Sequence, residues 1–415
     1  MLKRIILGLI VLITCSSAAI AQEGTTSPYS FYGIGALKFK GTAENRAMGG
    51  INVFSDSIHL NLQNPAGLAD LEYITYTLGG SHKSVTQKTA TDEQQQSTTS
   101  LDYVAVGIPM GKLVTSFGLI PYTSVGYDVQ NLNDGVTTRY SGEGGLNKAF
   151  LTFAYKITPE FSFGIDTNFN FGNIENTAFS QQEDLELGSI ETNRSDLLGF
   201  SFNLGARYRT MITDQLQLTT TITYTPETNF SSDNTRQRAT VFVLPSGLQI
   251  ERESVEVDVA NSDFVFPSQF TIGAGIGKPK NWFVGLEFDN QKTSNFTNRT
   301  FELENVVFQD ASKYRIGGFF IPNYNSLSSY YKRVVYRAGV RFEETGINLN
   351  GESINEFGIS FGVGLPVGRL FSNANLGVEI GRRGTTNSGL IQENFFNIFL
   401  SLSLNDKWFD KRYLD

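Results

Sequence analysis

Apolar and polar residues alternate with a period of two along much of this chain. Phe357, Ile359, Phe361, Val363 and Leu365 alternate with Gly358, Ser360, Gly362 and Gly364. Ala374, Leu376, Val378 and Ile380 alternate with Asn375, Gly377, Glu379 and Gly381, and Phe396 to Leu404 keeps the same rhythm. It recurs upstream in Phe161–Phe171 and Leu198–Tyr208. Successive side chains of a strand point to opposite faces, so each segment is a strand with one apolar and one polar or small face. Asp166, Arg209 and Glu379 fall on the polar face. On a lipid-facing surface, a charge near the bilayer midplane would cost up to about 2–4 kcal/mol. A soluble sandwich or propeller also has one apolar face. The Phe-rich face set against a Gly-rich one, together with the N-terminus, points to a transmembrane antiparallel β-barrel.

About fourteen strands are expected, starting near Glu72, Ser100, Lys112, Asn147, Glu160, Ser195, Gln215, Phe264, Asn281, Ser312, Lys332, Asn355, Arg369 and Ile391. Alternate connections are tight, as at Gly111, Thr158-Pro159, Thr213-Asp214 and Pro279-Lys280. The others read as long polar loops, such as Gln130–Gly145 and Gln181–Arg194. Short turns on one side and long loops on the other are the asymmetry of a bacterial barrel, the short turns being periplasmic. An even strand count puts both termini in the periplasm. Between Pro226 and Asp263, Ala239–Leu244 and Leu248–Val259 read as a hairpin standing outside the bilayer.

The N-terminus sets the compartment. Lys3 and Arg4 precede an apolar run from Ile5 to Cys15, and Ala19-Ile20-Ala21 reads as a cleavage site. Residues 1–21 are therefore an expected signal peptide, too short for a spanning helix. A retained anchor helix, or a lipoprotein acylated at Cys15, are the other readings. Cys15 is the only cysteine. The mature chain thus offers no disulfide, thiolate ligand or Cys nucleophile. With only His59 and His82 as imidazoles, neither a metal site nor a cofactor is expected. The formal charge is −8; without Lys3 and Arg4 it is −10, 31 basic residues against 41 acidic. That balance disfavours nucleic acid as a partner.

About fifty residues, 22–71, lie between the cleavage site and the first strand. They contain Asn45-Arg46-Ala47-Met48-Gly49-Gly50 and end at Asn64-Pro65-Ala66-Gly67-Leu68. Glycine and proline there suit a compact plug folded into the lumen. With this order of signal, Gly-rich segment, Asn-Pro-Ala and about fourteen strands, the chain resembles the FadL family of long-chain fatty-acid and hydrocarbon transporters. The resemblance implies an N-terminal hatch over 22–71 whose motif falls on Asn64, Pro65 and Ala66. The barrel then spans 72–405 and a periplasmic tail 406–415. It also implies a kink in the third strand that opens a lateral exit to the bilayer. Pro121, with Gly118 and Gly126 nearby, is the candidate here; the other reading puts Pro121 beyond the membrane. No ligand-binding residue of the family carries over. The tail, with Trp408, Phe409, Lys411, Arg412 and Tyr413, departs from an aromatic-terminated last strand. It reads as an interfacial anchor with a polar end, or as a docking site.

Gly273-Ala274-Gly275-Ile276-Gly277-Lys278 lies in a strand and lacks the spacing of a phosphate loop. His82 has no specified catalytic partner, so an enzyme is not expected. The preferred expectation is transport of hydrophobic small molecules through a hatch-gated lumen. The alternative is a non-transporting barrel serving a secretion or assembly complex, its lumen blocked by a network drawn from Arg207, Arg209, Arg337, Arg341, Asp166, Glu287 and Glu379. A general porin would need an open lumen, which a hatch denies. The partners implied are outer-membrane lipid, an apolar ligand, and other outer-membrane or periplasmic proteins.

Overall fold

The computed structural model describes residues 24–407 apart from 134, 184, 245–247, 296–305 and 368–371. The expected signal peptide and the tail from Trp408 onward lie outside the described residues. Fourteen antiparallel staves close into a barrel, since the first, β2 (Ile74–Lys88), pairs with both β3 (Glu93–Met110) and β20 (Gln392–Asp406). The third stave is two pieces, β4 (Leu113–Pro121) and β5 (Thr123–Asn133). Next come β6 (Val136–Lys156), β7 (Phe161–Gln182) and β8 (Leu187–Met211). The seventh stave is β9 (Gln217–Thr225) with β10 (Thr228–Val243), and the eighth is β11 (Gln249–Val257), β12 (Ser262–Phe266) and β13 (Gln269–Lys278). The wall continues through β14 (Trp282–Gln291), β16 (Ala311–Phe320), β17 (Val335–Leu349), β18 (Glu352–Pro366) and β19 (Asn373–Arg383). Short β15 (Val306–Phe308) pairs with the end of β17.

Period-two burial gives each stave two faces. On β20, Phe395, Asn397, Phe399, Ser401 and Ser403 are buried inward, while Phe396, Ile398, Leu400, Leu402 and Leu404 are exposed outward. No helix among the described residues is long and apolar enough to cross a membrane. The described segment 24–71 lies inside the cylinder. It holds β1 (Ala36–Leu37), one helical turn α1 (Ala43–Ala47), and a 3-10 helix over Pro65–Asp70.

Several boundaries differ from expectation. The second stave begins at Glu93, not Ser100; the fourth at Val136, not Asn147; the sixth at Leu187, not Ser195. Most of Gln130–Gly145 and Gln181–Arg194, expected as loops, is strand paired in ladders that run past the apolar belt. There water covers both faces, so polar residues fill both, as in Thr137-Thr138-Arg139, and no hydrophobic alternation marks the strand. The expected hairpin is the top of the seventh and eighth staves, with β10 paired to β11 on one side and β8 on the other. The eighth stave starts at Gln249 rather than Phe264.

Candidate functional site: the hatch and its lumen

The Asn-Pro-Ala motif is a docking element. Asn64 caps the 3-10 helix, its Oδ1 accepting from the Ala66 N–H at 3.0 Å, and Pro65 occupies the first turn, where no intrahelical donor is needed. Asn61 Oδ1 accepts from the Asn64 N–H at 2.9 Å, and the Ser162 hydroxyl donates to the Ala66 carbonyl at 3.0 Å. The floor beneath is glycine. A Cβ on Gly205 would meet Asn64 Oδ1 at 2.6 Å, and one on Gly164 would meet the Pro65 carbonyl oxygen at 2.6 Å. The helix ends at Asp70, a buried carboxylate serving three cations. Arg207 donates to both of its oxygens, Arg209 donates at 2.6 Å, and the Lys156 ammonium lies 3.8 Å away. Ser55 adds a hydroxyl at 2.8 Å.

The opposite end of the hatch is secured by other staves. Gly49 and Gly50 have φ of 69° and 86°, a region that favours glycine. They turn the chain so closely over β17 that a Cβ on Gly339 would lie 2.7 Å from the Gly49 Cα. The Gly49 N–H donates to Ser360 Oγ at 2.9 Å. Arg46 Nε donates to Glu379 at 3.0 Å, and Arg341 Nε to the other Glu379 oxygen at 2.7 Å. Arg341 also pairs with Glu356, which Arg383 shares. Glu287 takes the Asn52 N–H at 2.7 Å and Arg315 at 2.5 Å. Within the hatch, His59 Nδ1 lies 2.8 Å from Asp56, and Nε2 lies 3.6 Å from Glu44. Burial pulls the His59 pKa down, but Asp56 and Glu44 outweigh it and hold it above the usual 6.5. Burial raises Asp56, yet His59 brings it below the ordinary carboxylate value.

The free space that remains is mixed in character, with apolar side chains such as Phe39, Leu62, Ile120 and Phe395 lining it beside charged ones. A cavity of about 260 Å³ is lined by Lys40, Lys148, Asp166, Asp289, Arg341 and Glu379, among others. Burial brings the Lys40 ammonium down to about 8. Toward the long-loop end Phe31, Ile34 and Leu37 of the hatch pack on the buried Tyr122, Leu146 and Phe230, and Ile34, Leu37 and Tyr122 of this cluster also border the cavity.

The candidate kink residues lie along the divided third stave. β4 pairs with β3 and β6 and ends at Pro121. β5 pairs with β6, and where β3 would continue the ladder its edge meets β1 instead, through Ala36↔Ser124 and Leu37↔Thr123. The Lys38 N–H donates to the Tyr122 carbonyl at 3.0 Å. Pro121 has no N–H to give at this break. Gly118 lies inside the β4 ladder, and Gly126 donates its N–H to Ser30 Oγ at 3.1 Å.

The network residues anticipated from sequence divide among separate clusters. Arg207 and Arg209 meet at Asp70, Arg341 meets Glu379, and Glu287 meets Arg315. Arg337 donates to Asn375 at 2.9 Å, and Asp166 accepts from Thr152 at 2.9 Å. Sequence reasoning did not single out Asp70, Glu356, Arg383, or the wall glycines beneath the hatch. Inward-facing Gly164 and Gly205 were visible in the alternation, but their partners depend on the fold of the hatch. His82 lies on β2 with Nδ1 2.8 Å from Thr99 Oγ1.

A family model described as BamG matches residues 1–415. No curated protein matches the chain. Among solved structures, the Ralstonia pickettii toluene transporter TbuX aligns with a TM-score of 0.60 at 13% identity, covering 89% of this chain and 99% of that one. The Pseudomonas putida toluene transporter TodX gives 0.57 at 15%, covering 89% and 100%. A Pseudomonas aeruginosa FadL homologue gives 0.58 at 11%, covering 89% and 98%. At these identities the likeness is one of fold. The chain therefore belongs to the BamG family, and its fold is the closed fourteen-stave antiparallel barrel of FadL-like outer-membrane proteins.

Proposed function

We propose that this protein is a non-transporting barrel subunit of an outer-membrane protein assembly complex. In this reading the short turns and both termini are periplasmic, the long-loop end is extracellular, and no catalysis is involved. The observation that carries it is the state of the lumen. The hatch is tied to opposite walls by the Asp70–Arg207 and Arg46–Glu379 ion pairs, which hold it across the lumen, and charged side chains stand among the apolar ones that line the remaining cavity. The family name hints at the same assembly-related role.

A second reading, passage of hydrophobic small molecules such as long-chain fatty acids, is favoured by one observation. The wall ladder breaks at Pro121, and among the described residues Ala36–Lys38 and Ser30 of the hatch cover the β5 edge there. Withdrawal of that segment would open a lateral path through the wall. The solved structures of similar fold include toluene transporters.

The test is purification in mild detergent with mass spectrometry of both lipids and proteins. A stoichiometric protein partner without a bound apolar molecule supports the subunit. A co-purifying fatty acid or hydrocarbon, lost when Pro65 and Ala66 are replaced, overturns it. A disulfide between Ala36→Cys and Ser124→Cys adds a second readout, since it locks the segment at the break. The locked barrel keeps full function as a subunit and loses it as a transporter.

A further inference from the structure

Six strands, in the order β5, β6, β7, β8, β10 and β11, rise past the apolar belt at the long-loop end as an open sheet. An open sheet has two edges, and here they are treated differently. The β5 edge is covered low down by β1 and by Ser30. β11 pairs with β10 on one side only, and its other edge has no backbone partner among the described residues. Gln249 through Glu256 are all exposed, including Ile250 and Val255. Nine residues without proline leave a row of unpaired N–H and C=O groups facing water.

The charge of the chain is concentrated in the same place. Stretches 123–145, 173–198 and 228–266 hold fifteen acidic and five basic residues. The rest of 22–415 is balanced, 26 against 26. The whole net charge of −10 past the expected signal thus falls within these three stretches of sequence. On β11 itself, Glu251, Glu253 and Glu256 stand against Arg252 alone. Acidic residues repel another acidic edge, which prevents a second copy from pairing here, and they attract a basic strand.

We infer that β11 is a docking edge for an extended segment of a partner protein carrying Lys or Arg at alternate positions, which joins the wing as a further strand. Backbone hydrogen bonds would give affinity, and the acidic field would give orientation and a fast on-rate. This rests on the subunit reading and names the chemistry of its partner.

The test uses the full-length chain in detergent, with heat-modifiable gel mobility confirming a folded barrel. Three nine-residue fluorescent peptides are titrated: alternating Lys and Val, the same with Glu for Lys, and the Lys peptide with alternate backbone amides methylated. The Lys peptide is expected to bind, and at least about tenfold more weakly in high salt. Methylation, or Glu251→Lys, Glu253→Lys and Glu256→Lys together, should each weaken it at least about tenfold. Equal binding of the methylated peptide means charge attraction without strand addition and overturns the inference. So does failure of the Lys peptide to bind, or complete competition by calcium against a methylation-insensitive signal. If the peptide fails while a stoichiometric partner still co-purifies, the edge falls and the subunit reading stands. If the peptide binds but no partner co-purifies, the edge stands and the subunit reading falls.

Discussion

Removing the carboxylate of Asp70 should release the motif end of the hatch. Arg207 is 1% exposed and Asp70 4% exposed. Arg207 has no other carboxylate within ion-pair distance among the described residues, and Arg209 and Lys156 converge on the same group. Deleting one partner of a buried pair costs about 3–5 kcal/mol, because the remaining charge stays desolvated. Here that cost is relieved if the hatch lifts and water reaches Arg207, so it drives opening. At about 1.4 kcal/mol per decade, opening should rise by roughly two to nearly four orders of magnitude. The assay is thiol labelling of Ala69→Cys, buried on the same 3-10 helix. The background is clean because Cys15, the only native cysteine, precedes the expected cleavage site. Asp70→Ala should accelerate labelling over that range. Asp70→Leu with Arg207→Met should return it near the parent rate, since a buried pair replaced by apolar groups is often neutral or better. Labelling of Asp70→Ala within about threefold of the parent would refute the argument that this ion pair holds the hatch.

Three further outcomes are expected. Gly205→Val places a side chain where Asn64 Oδ1 lies 2.6 Å from the Cβ position, so Ala69→Cys labelling should rise while the closed wall keeps its heat-modifiable mobility. The pH profile of hatch labelling should have a sign set by His59 and Asp56. His59, raised, stabilises the hatch below pH 6.5 and loses that contribution as pH rises through its folded value; Asp56, lowered, stabilises above its ordinary value and loses it in acid. Taken relative to an unfolded Ala69→Cys control, which removes the thiol's own ionisation, labelling should therefore be slowest between about pH 4 and 6.5 and quicken as pH rises through the folded His59 value, and His59→Gln should remove that upper limb. Arg341→Met strips an ion pair from both Glu356 and Glu379, but Arg383 and Arg46 still pair with them, so the cost should stay below the roughly 3–5 kcal/mol of a buried charge left alone. A fall in the barrel's unfolding temperature on heated gels checks it, and an unchanged temperature would count against the network.

The lipid-crossing part of the wall was legible because bilayer and lumen impose opposite chemistries on alternate residues. Phe396 and Asn397 sort to their faces without any knowledge of their neighbours. Strand tops such as Glu93–Ser100 and Val136–Leu146 were not legible, since water on both sides removes that contrast. The position of Asn64-Pro65-Ala66 could be read from its order in the chain. What it rests on could not, because Gly164 and Gly205 lie on two later strands and meet the motif only once register is fixed. The same holds for Asp70, one carboxylate in a turn, whose weight comes from Arg207 and Arg209 more than a hundred residues on. Pro121 carried its own signal, a missing donor, but nothing in the sequence marks Ala36–Leu37 as the strand that meets the β5 edge.

The hatch comes first in the chain, yet many of its anchors come last. Arg46 waits for Glu379 and Glu44 for Asn375, separations of 333 and 331 residues. Such contacts form late, because closing long loops costs entropy before any bond rewards it. The wall must therefore curl around a hatch that most of its partners have not yet reached. The step joining β2 to β20 is also the step that traps it, so a hatch that misses this moment would be shut out of a finished barrel.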